Sequence, residues 1–504
     1  MLSFGNFRKE SIKERINLQT SWKRKSKLLG TLLLVWGGFL CTSVFASGVE
    51  IVNTKYEDQD FNSENPVIET TLTVKWKNSW HNKKNNDAVW IFFKVFNRDG
   101  RVRHAKILPG SPRLEHNYNA SGVNAAFEIP GDSTGIFVYP STEHRGDNKW
   151  RITLKLSLKG IEHINLRETL FVNPYAIEMV YIPKGGFFIG EPSEELQEQN
   201  GAFFQADTHK PYFINSEQAI DVGEGKGNLN YIPGSDTLYK GDKAGPIPAD
   251  FPKGFDGFYI MKYELNCGNY TDFLNSISDY HSHSRANFGG KNYQDDRGFI
   301  AFEDNKYSCR FPGNPVNFIS TDDMMAFTDW AALRPMTELE YEKAARGTRK
   351  PIEGEFPWGS NSNKKLSRYF NEEGALVFDP DVNESELSDS NLEIFGASYY
   401  WVMDLNKSLW ERCVSVGSKQ GRKFKGSHGN GHITGYFGFA DNPDWPNMQD
   451  GGLSYRGGGT YFEGMVGSPK GELASRPFGA WGTGPRAIAY GYRAARTATA
   501  RDEN

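Results

Sequence analysis

Histidine pairs, an acidic run and a glycine-rich stretch are the parts of this sequence whose residue types and spacing could do chemistry. One pair is His281 and His283 in HSH, and the other is His428 and His432 in HGNGH. Both come close to the spacing of metal ligands. The second pair lies among glycines, so a helix does not bring its two rings to one face. Exposed loop histidines are the alternative for both pairs.

The acidic run is DPDVNESE, from Asp379 to Glu386, and it is rich in the oxygen ligands that suit calcium. It fails the EF-hand pattern, because Glu384 stands at the glycine position and Ser390 at the final acidic one. The alternative is a solvated acidic loop.

The glycine-rich stretch is RGGGTYFEGMVGS, from Arg456 to Ser468. Three functions compete for it: a phosphate cradle, a reactive site, or a tight turn in a buried sheet. A second glycine run, VGEGKGN, lacks the spacing and the flanking strand and helix of a phosphate-binding loop.

Length, charge and cysteine content restrict the class of protein. The chain has 504 residues, enough for two to four domains, and a formal charge of −4 with both signs dispersed, so we expect no nucleic-acid partner. Past the N-terminal segment, Cys267, Cys309 and Cys413 remain, which allows one disulfide and one spare thiol with the pairing open.

The N-terminus predicts export. KRKSK is followed by an apolar run that ends with Val44 and Ala46 in the small-residue pattern of signal peptidase sites. We expect residues 1–46 to be a signal peptide and Ser47 the mature start, with a retained anchor as the alternative. Cys41 is not expected to carry lipid, because Leu40 stands where a small residue is needed.

The elements that position these residues fall into two units. Residues 47–172 read as short alternating strands (ETTLTVKWKNSW, DAVWIFFKVFNRDG, TGIFVYP, WRITLKLSLKG), which predict a β-sandwich. The second unit, residues 175–500, opens with the strands of EMVYIPKGGFFIG and carries a loop insertion at about 191–252. Its helices are NYTDFLNSI, STDDMMAFTDWAALR and TELEYEKAARG, the last with a Thr337–Glu340 capping box. SYYWVMDL, LWERCVSV and YGYRAART are strand candidates.

Seven segments of the second unit occur in the order of a known family: MVYIPKGGFFIG, FDGFYIMKYELNCGNYTDFLN, NPVNFISTDDMMAFTDWAALRPMTELEYEKAARG, EFPWGSN, VMDLNKSLWERCVS, YRGGGTY and GYRAART. The chain from about Glu178 to Ala498 resembles the sulfatase-modifying-factor family, which includes the formylglycine-generating enzyme. The resemblance implies an α+β, C-type-lectin-like domain with much irregular structure, here preceded by the all-β sandwich.

The resemblance also implies where the family's metals would bind. The oxidising members bind copper through two cysteines, and the matching positions here hold Glu463 and Ser468, so we expect neither copper nor that oxidation. The glycine stretch then becomes the structural turn of the fold. For calcium, YFNEEG offers Asn371 and MDLNKSLWE retains Glu411, but the latter segment has Lys407 and Ser408 where the family usually has glycine and asparagine.

The sequence therefore favours an exported, non-catalytic binding or structural protein of the bacterial cell envelope, in the periplasm, outer membrane or cell surface. Members without the copper cysteines suggest gliding and type IX secretion machinery as the setting. Other envelope proteins or a surface ligand are the expected partners, with membrane contact only through the signal or anchor. Two alternatives stay open: an enzyme of altered, metal-dependent chemistry near Glu463 or His428, and lectin-like ligand display between Tyr461 and Tyr490. Aromatics of NPDWPN and RPFGAWGTGPRA would supply contact surface.

Overall fold

The computed structural model describes residues 48–58, 64–96, 102–161, 170–232, 241–286, 300–406, 408–447, 451–458, 472–481 and 486–499. The described part is a mixed, strand-rich fold with few helices. The predicted signal peptide, including Cys41, lies outside the described residues, as do Lys407, Glu463 and Ser468. No described helix is long and apolar enough to cross a membrane.

The strands are, in chain order, β1 (Glu50–Asp58), β2 (Val67–His81), β3 (Asp87–Phe96), β4 (Val102–His104), β5 (Lys106–Ile107), β6 (Arg113–Asn117), β7 (Ala125–Glu128), β8 (Gly135–Pro140), β9 (His144–Ser157), β10 (Phe171–Ile182), β11 (Phe187–Ile189), β12 (Phe203–Gln205), β13 (Tyr212–Ile214), β14 (Leu229–Tyr231), β15 (Phe258–Met261), β16 (Ile300–Glu303), β17 (Lys306–Cys309), β18 (Arg334–Pro335), β19 (Arg368–Phe370), β20 (Leu376–Phe378), β21 (Trp410–Val414), β22 (Leu453–Arg456), β23 (Tyr490–Gly491) and β24 (Ala494–Thr497). The helices are α1 (Glu194–Asn200), α2 (Cys267–Ser276), α3 (Asp279–Arg285), α4 (Thr321–Trp330), α5 (Glu338–Arg346) and α6 (Leu392–Phe395), with 3-10 turns at Glu384–Glu386 and Gly421–Lys423.

Strands β1 to β9, the front strands, contribute to two sheets. One has five strands in the order β1-β2-β9-β5, with β6 also paired to β9. The other has the order β18-β24-β15-β10-β3-β8-β7, with β4 on β3, and so continues into the second unit. Strand β10 pairs with β3 along most of its length and with β15 at its end. The predicted boundary near residue 172 thus falls at the start of a shared strand.

The larger sheet is covered on both faces, which explains why β3 is buried at nearly every position rather than alternating. Val89, Ile91 and Phe93 pack with the inward residues of the five-stranded sheet. Trp90 and Phe92 face the other way, onto a cluster that includes side chains of α2 and α4. The apolar run of β3 therefore fits a central strand between two layers.

The three predicted helices are confirmed, and two begin with reciprocal side-chain caps. Ser320 and Asp323 form a capping box at α4, and Thr337 and Glu340 form the predicted one at α5. Gly347 ends α5 with a φ of 64°. These ends are encoded locally, because each cap joins residues three apart.

Two predictions for the second unit differ from the structure. SYYWVMDL is irregular chain rather than a strand. The segment predicted as a loop insertion holds α1 and β12 to β14, and its Phe203, Ile214 and Tyr231 join a core with Leu339 and Val414. Burial of these scattered aromatics offsets the ordering entropy of so much turn structure.

Candidate functional site

The centre of the second unit is a buried ionic cluster on helix α5. Glu338 and Glu342 lie one helical turn apart, so both carboxylates face the same way. The Arg456 guanidinium lies 3.2 Å from Glu338 and 3.0 Å from Glu342, and Arg476 lies 2.8 Å from Glu338. All four side chains are almost completely excluded from solvent. The cluster joins chain segments more than one hundred residues apart.

The electrostatics of Glu338 are dominated by these arginines. Burial alone would raise the pKa of its carboxyl, but Arg476 and Arg456 lower that pKa to about 2. Ser415 Oγ and the Val416 amide also donate to Oε1, at 3.1 and 2.9 Å. Glu338 is therefore a permanently charged structural anchor rather than a proton carrier.

This cluster fixes the start of the glycine-rich stretch. Arg456 is the last residue of β22, and Gly457 follows with a φ of 90° and Gly458 with a φ of 67°. A Cβ on Gly457 would lie 2.9 Å from the Leu405 carbonyl oxygen. The backbone thus approaches another segment closely at the described start of the turn, where only a glycine fits without strain. Gly459 to Ser468 lie outside the described residues.

A second buried ion pair holds Glu411, one of the two candidate calcium ligands. Arg493 donates to both of its carboxylate oxygens, with Nη2 2.9 Å from Oε1. The neighbouring Glu264 accepts the Leu409 amide at 3.1 Å, and burial followed by the Glu411 charge raises its pKa well above the usual range. A guanidinium thus occupies the place that a cation would need at Glu411, and calcium does not fit there in this arrangement.

The other candidate, Asn371, closes the hairpin between β19 and β20. Its Oδ1 accepts the backbone amides of Glu373 at 3.1 Å and Ala375 at 2.9 Å. A nearby cavity of about 300 Å³ is lined by Arg368, Asp404, Asn406 and Ser408 among others. Arg368 pairs with both oxygens of Asp404, at 2.8 and 3.0 Å. The Asn371 oxygen that the sequence offered to an ion is thus engaged with backbone amides, and the nearby Asp404 is engaged with Arg368.

The acidic run packs against the front strands. Glu384 accepts hydrogen bonds from Asn78 of β2 and from Tyr263, and it lies 3.7 Å from the buried Lys262. Arg145 of β9 donates to the Glu384 carbonyl at 2.8 Å. At least this end of the run serves as a contact between the two units, which sequence spacing could not reveal.

The histidine pairs do not converge on a metal position. His281 Nε2 contacts the Gly435 carbonyl and His283 Nδ1 the Asp279 carbonyl, at 2.9 and 2.6 Å. His432 pairs with Asp441 at 2.9 Å, and His428 Nε2 accepts the Thr497 amide at 3.0 Å. In the described ranges, no three His, Cys, Asp or Glu side chains are grouped as a metal site.

No disulfide joins the three cysteines within the described residues. Cys267 and Cys413 are completely buried, and burial raises the pKa of both well above the usual range. Burial also raises the pKa of Cys309 to about 11. None of them is the thiolate that metal binding or nucleophilic attack requires.

The aromatics predicted as contact surface are largely packed. Trp445 Nε1 donates to the Ser427 carbonyl at 2.9 Å. Phe478 and Trp481 stack on each other and make edge contacts with Trp410 and Tyr455. The three most exposed aromatics among the described residues lie a few residues upstream of NPDWPN and on α3: Tyr280, Tyr436 and Phe437 are 55%, 61% and 50% exposed. Phe439, close to them in the chain, is 38% exposed.

Sequence reasoning missed the residues at the centre of the site. Arg456 and Arg476 were not singled out, although an arginine directly before a glycine run and acids four apart on a helix were visible signals. Their pairing depends on segments that meet only in the folded chain.

Comparison with known proteins agrees with this architecture. A model of the sulfatase-modifying factor enzyme 1-like domain matches residues 228–498. A formylglycine-generating enzyme of Thermomonospora curvata is 26% identical over 104 residues, which cover 20% of this chain and 34% of that enzyme. The chain thus matches only about a third of the length of this relative. Because the matched domain spans more than half of the chain, the protein belongs to the sulfatase-modifying factor family.

Proposed function

We propose that this protein is an exported, non-catalytic binding or structural component of the bacterial cell envelope, built on a formylglycine-generating-enzyme-like domain. The observation that carries the proposal is that no reactive cysteine thiolate is found at the positions matched to the copper ligands or among the described cysteines. Glu463 and Ser468 stand at the positions matched to the copper cysteines, and Cys267, Cys309 and Cys413 have pKa values raised by burial.

Soft thiolate sulfur selects cuprous copper, whereas carboxylate and hydroxyl oxygens prefer hard ions. A glutamate and a serine therefore cannot replace the thiolate pair. The buried arginines and glutamates of the α5 cluster are paired with one another, so they serve the fold. What remains for function is the surface of the domain.

We also propose the domain division predicted from sequence: a β-sandwich at 47–172 and a C-type-lectin-like domain at 175–500. The two-sheet packing of the front strands supports the sandwich, and the shared strand β10 makes the two units one folded assembly. For the contact surface we propose the exposed aromatic cluster of Tyr280, Tyr436, Phe437 and Phe439. Tyr280 and Tyr436 lie 4.2 Å apart between ring centroids, and Tyr436 and Phe437 lie 4.9 Å apart.

The test of the missing chemistry is a comparison of the natural chain with the double variant Glu463→Cys, Ser468→Cys. The natural chain should not bind one equivalent of Cu(I) against a competing chelator, and should not oxidise a cysteine-containing peptide. The double variant should gain Cu(I) binding. Peptide oxidation by the natural chain would refute the proposal.

The test of the contact surface is crosslinking in intact cells of the source organism, followed by mass spectrometry. The double variant Tyr436→Ser, Phe437→Ser should lose the partner captured by the natural chain. Tyr369→Ser is the control, because Tyr369 is also 41% exposed but lies on a different hairpin. Equal capture by both variants would exclude this surface.

A further inference from the structure

A second pocket lies among the front strands. It has a volume of about 610 Å³, within the range of ligand sites in proteins. Its walls come from the start of β1, from β2 and β9, and from the loop after β6. It shares no lining residue with the α5 cluster, so nothing in it depends on the function proposed for the family domain.

The charge of the walls is positive. Lys75, Lys77, Lys149 and Arg145 line the pocket together with two acids, Glu50 and Asp147. Glu50 is already paired with Lys75 at 3.3 Å, and the Asp147 carboxylate accepts the Asn78 amide at 3.1 Å. Arg145 donates to the carbonyls of Asn78 and Glu384. Lys77 and Lys149 are exposed and have no ion pair within the described part of the chain, so they are available to an anion.

A buried amide in the same wall has an unused donor. Asn148 is 2% exposed, and its Oδ1 accepts from Asn119 Nδ2 at 2.9 Å. Its Nδ2 has no acceptor among the described residues. Leaving a buried donor unmatched is costly, and this amide meets a ligand oxygen only if its side chain moves toward the pocket.

The remaining lining suits a sugar ring better than a bare ion. The Tyr118 side chain is 44% exposed. The Lys149 ammonium lies over its ring, 4.6 Å from the ring centroid. Asn119 and Ser121 add neutral hydrogen-bonding groups that match hydroxyls. The volume far exceeds that of an inorganic anion. An aromatic ring, amides and lysines together recognise the apolar face, the hydroxyls and the charge of an acidic sugar.

We propose that this pocket binds an anionic saccharide, with its charged group between Lys77 and Lys149 and its ring near Tyr118. The charged group is a carboxylate in a surface polysaccharide or a phosphate in a glycolipid headgroup. Both share the chemistry that these walls recognise, and the choice of probe separates them.

The experiment is isothermal titration of the full-length protein with three probes: tetragalacturonate, its uncharged methyl ester, and a phosphorylated glucosamine disaccharide. At least one of the two charged probes should bind. If tetragalacturonate binds, its uncharged methyl ester should bind at least tenfold more weakly. Lys77→Gln with Lys149→Gln should weaken binding about tenfold, and Tyr118→Ala about fivefold.

Lys159→Gln is the matched control, because Lys159 is an exposed lysine just beyond β9 and outside the pocket. Circular dichroism and the unfolding midpoint establish that each variant is folded. Binding of neither charged probe overturns the proposal. So does unchanged affinity in the double lysine variant, or full competition by inorganic phosphate at the same concentration, which would mark a simple anion site.

Discussion

The substitution Glu338→Gln tests whether the α5 cluster holds the family domain together. The pKa of this carboxyl is lowered from 4.5 to about 2, and a shift of that size corresponds to about 3 kcal/mol of stability at pH 7. Glutamine would leave Arg456 and Arg476 buried beside a neutral amide. Removing one partner of a buried ion pair typically costs about 3–5 kcal/mol, which agrees with the first figure.

The pH dependence gives a sharper version of this test. Because the pKa of Glu338 is depressed in the folded state, its contribution is fully present above about pH 4.5 and is lost as the pH falls toward 2. The difference in free energy of unfolding between the natural chain and Glu338→Gln should therefore shrink from about 3 kcal/mol at pH 7 to about 2 kcal/mol at pH 3.5.

Guanidinium denaturation followed by tryptophan fluorescence measures this difference at both pH values. Glu224→Gln is the matched control, since Glu224 is exposed and belongs to no ion pair among the described residues. A loss below about 0.5 kcal/mol for Glu338→Gln at pH 7, equal to that of a surface change, would refute the electrostatic account of the cluster.

Three further predictions concern other parts of the fold. Gly457→Ala should destabilise the protein by about 2 kcal/mol more than Gly122→Ala in thermal unfolding, because both have a positive φ but only Gly457 would bring a Cβ against backbone. Burial raises the pKa of Glu191 to about 7, so between pH 4.5 and 7 the stability should fall as the pH rises, and Glu191→Gln should flatten that slope in denaturation curves. Because Arg493 pairs with the carboxylate of Glu411, addition of EGTA should leave the unfolding midpoint of the protein unchanged. Arg493→Lys should lower that midpoint, since lysine cannot replace the two-pronged contact of the guanidinium. A lower midpoint on addition of EGTA would instead support bound calcium.

The family, most of the predicted strands and the helix ends were readable from the sequence. The caps of α4 and α5 depend on residues three apart, and the front strands depend on short hydrophobic patterns. The prediction of a strand at SYYWVMDL was wrong, although it also depended on a short hydrophobic pattern. The aromatic side chains of this segment pack into the core from an irregular backbone that only the surrounding core stabilises. A short hydrophobic pattern alone cannot distinguish a regular strand from an irregular buried segment.

The sequence by itself thus determined the family and most of the predicted helices and strands, and it supports the proposal that copper chemistry is absent, because replacing cysteine changes what an atom can bind. Only the tertiary structure decided which charges meet. It brought Arg456 and Arg476 to Glu338, gave Glu411 an arginine instead of an open coordination position, and set the acidic run against Arg145. Such pairs join distant segments, and their partners are selected by burial and by the need to neutralise each buried charge, conditions that exist only once the chain has folded.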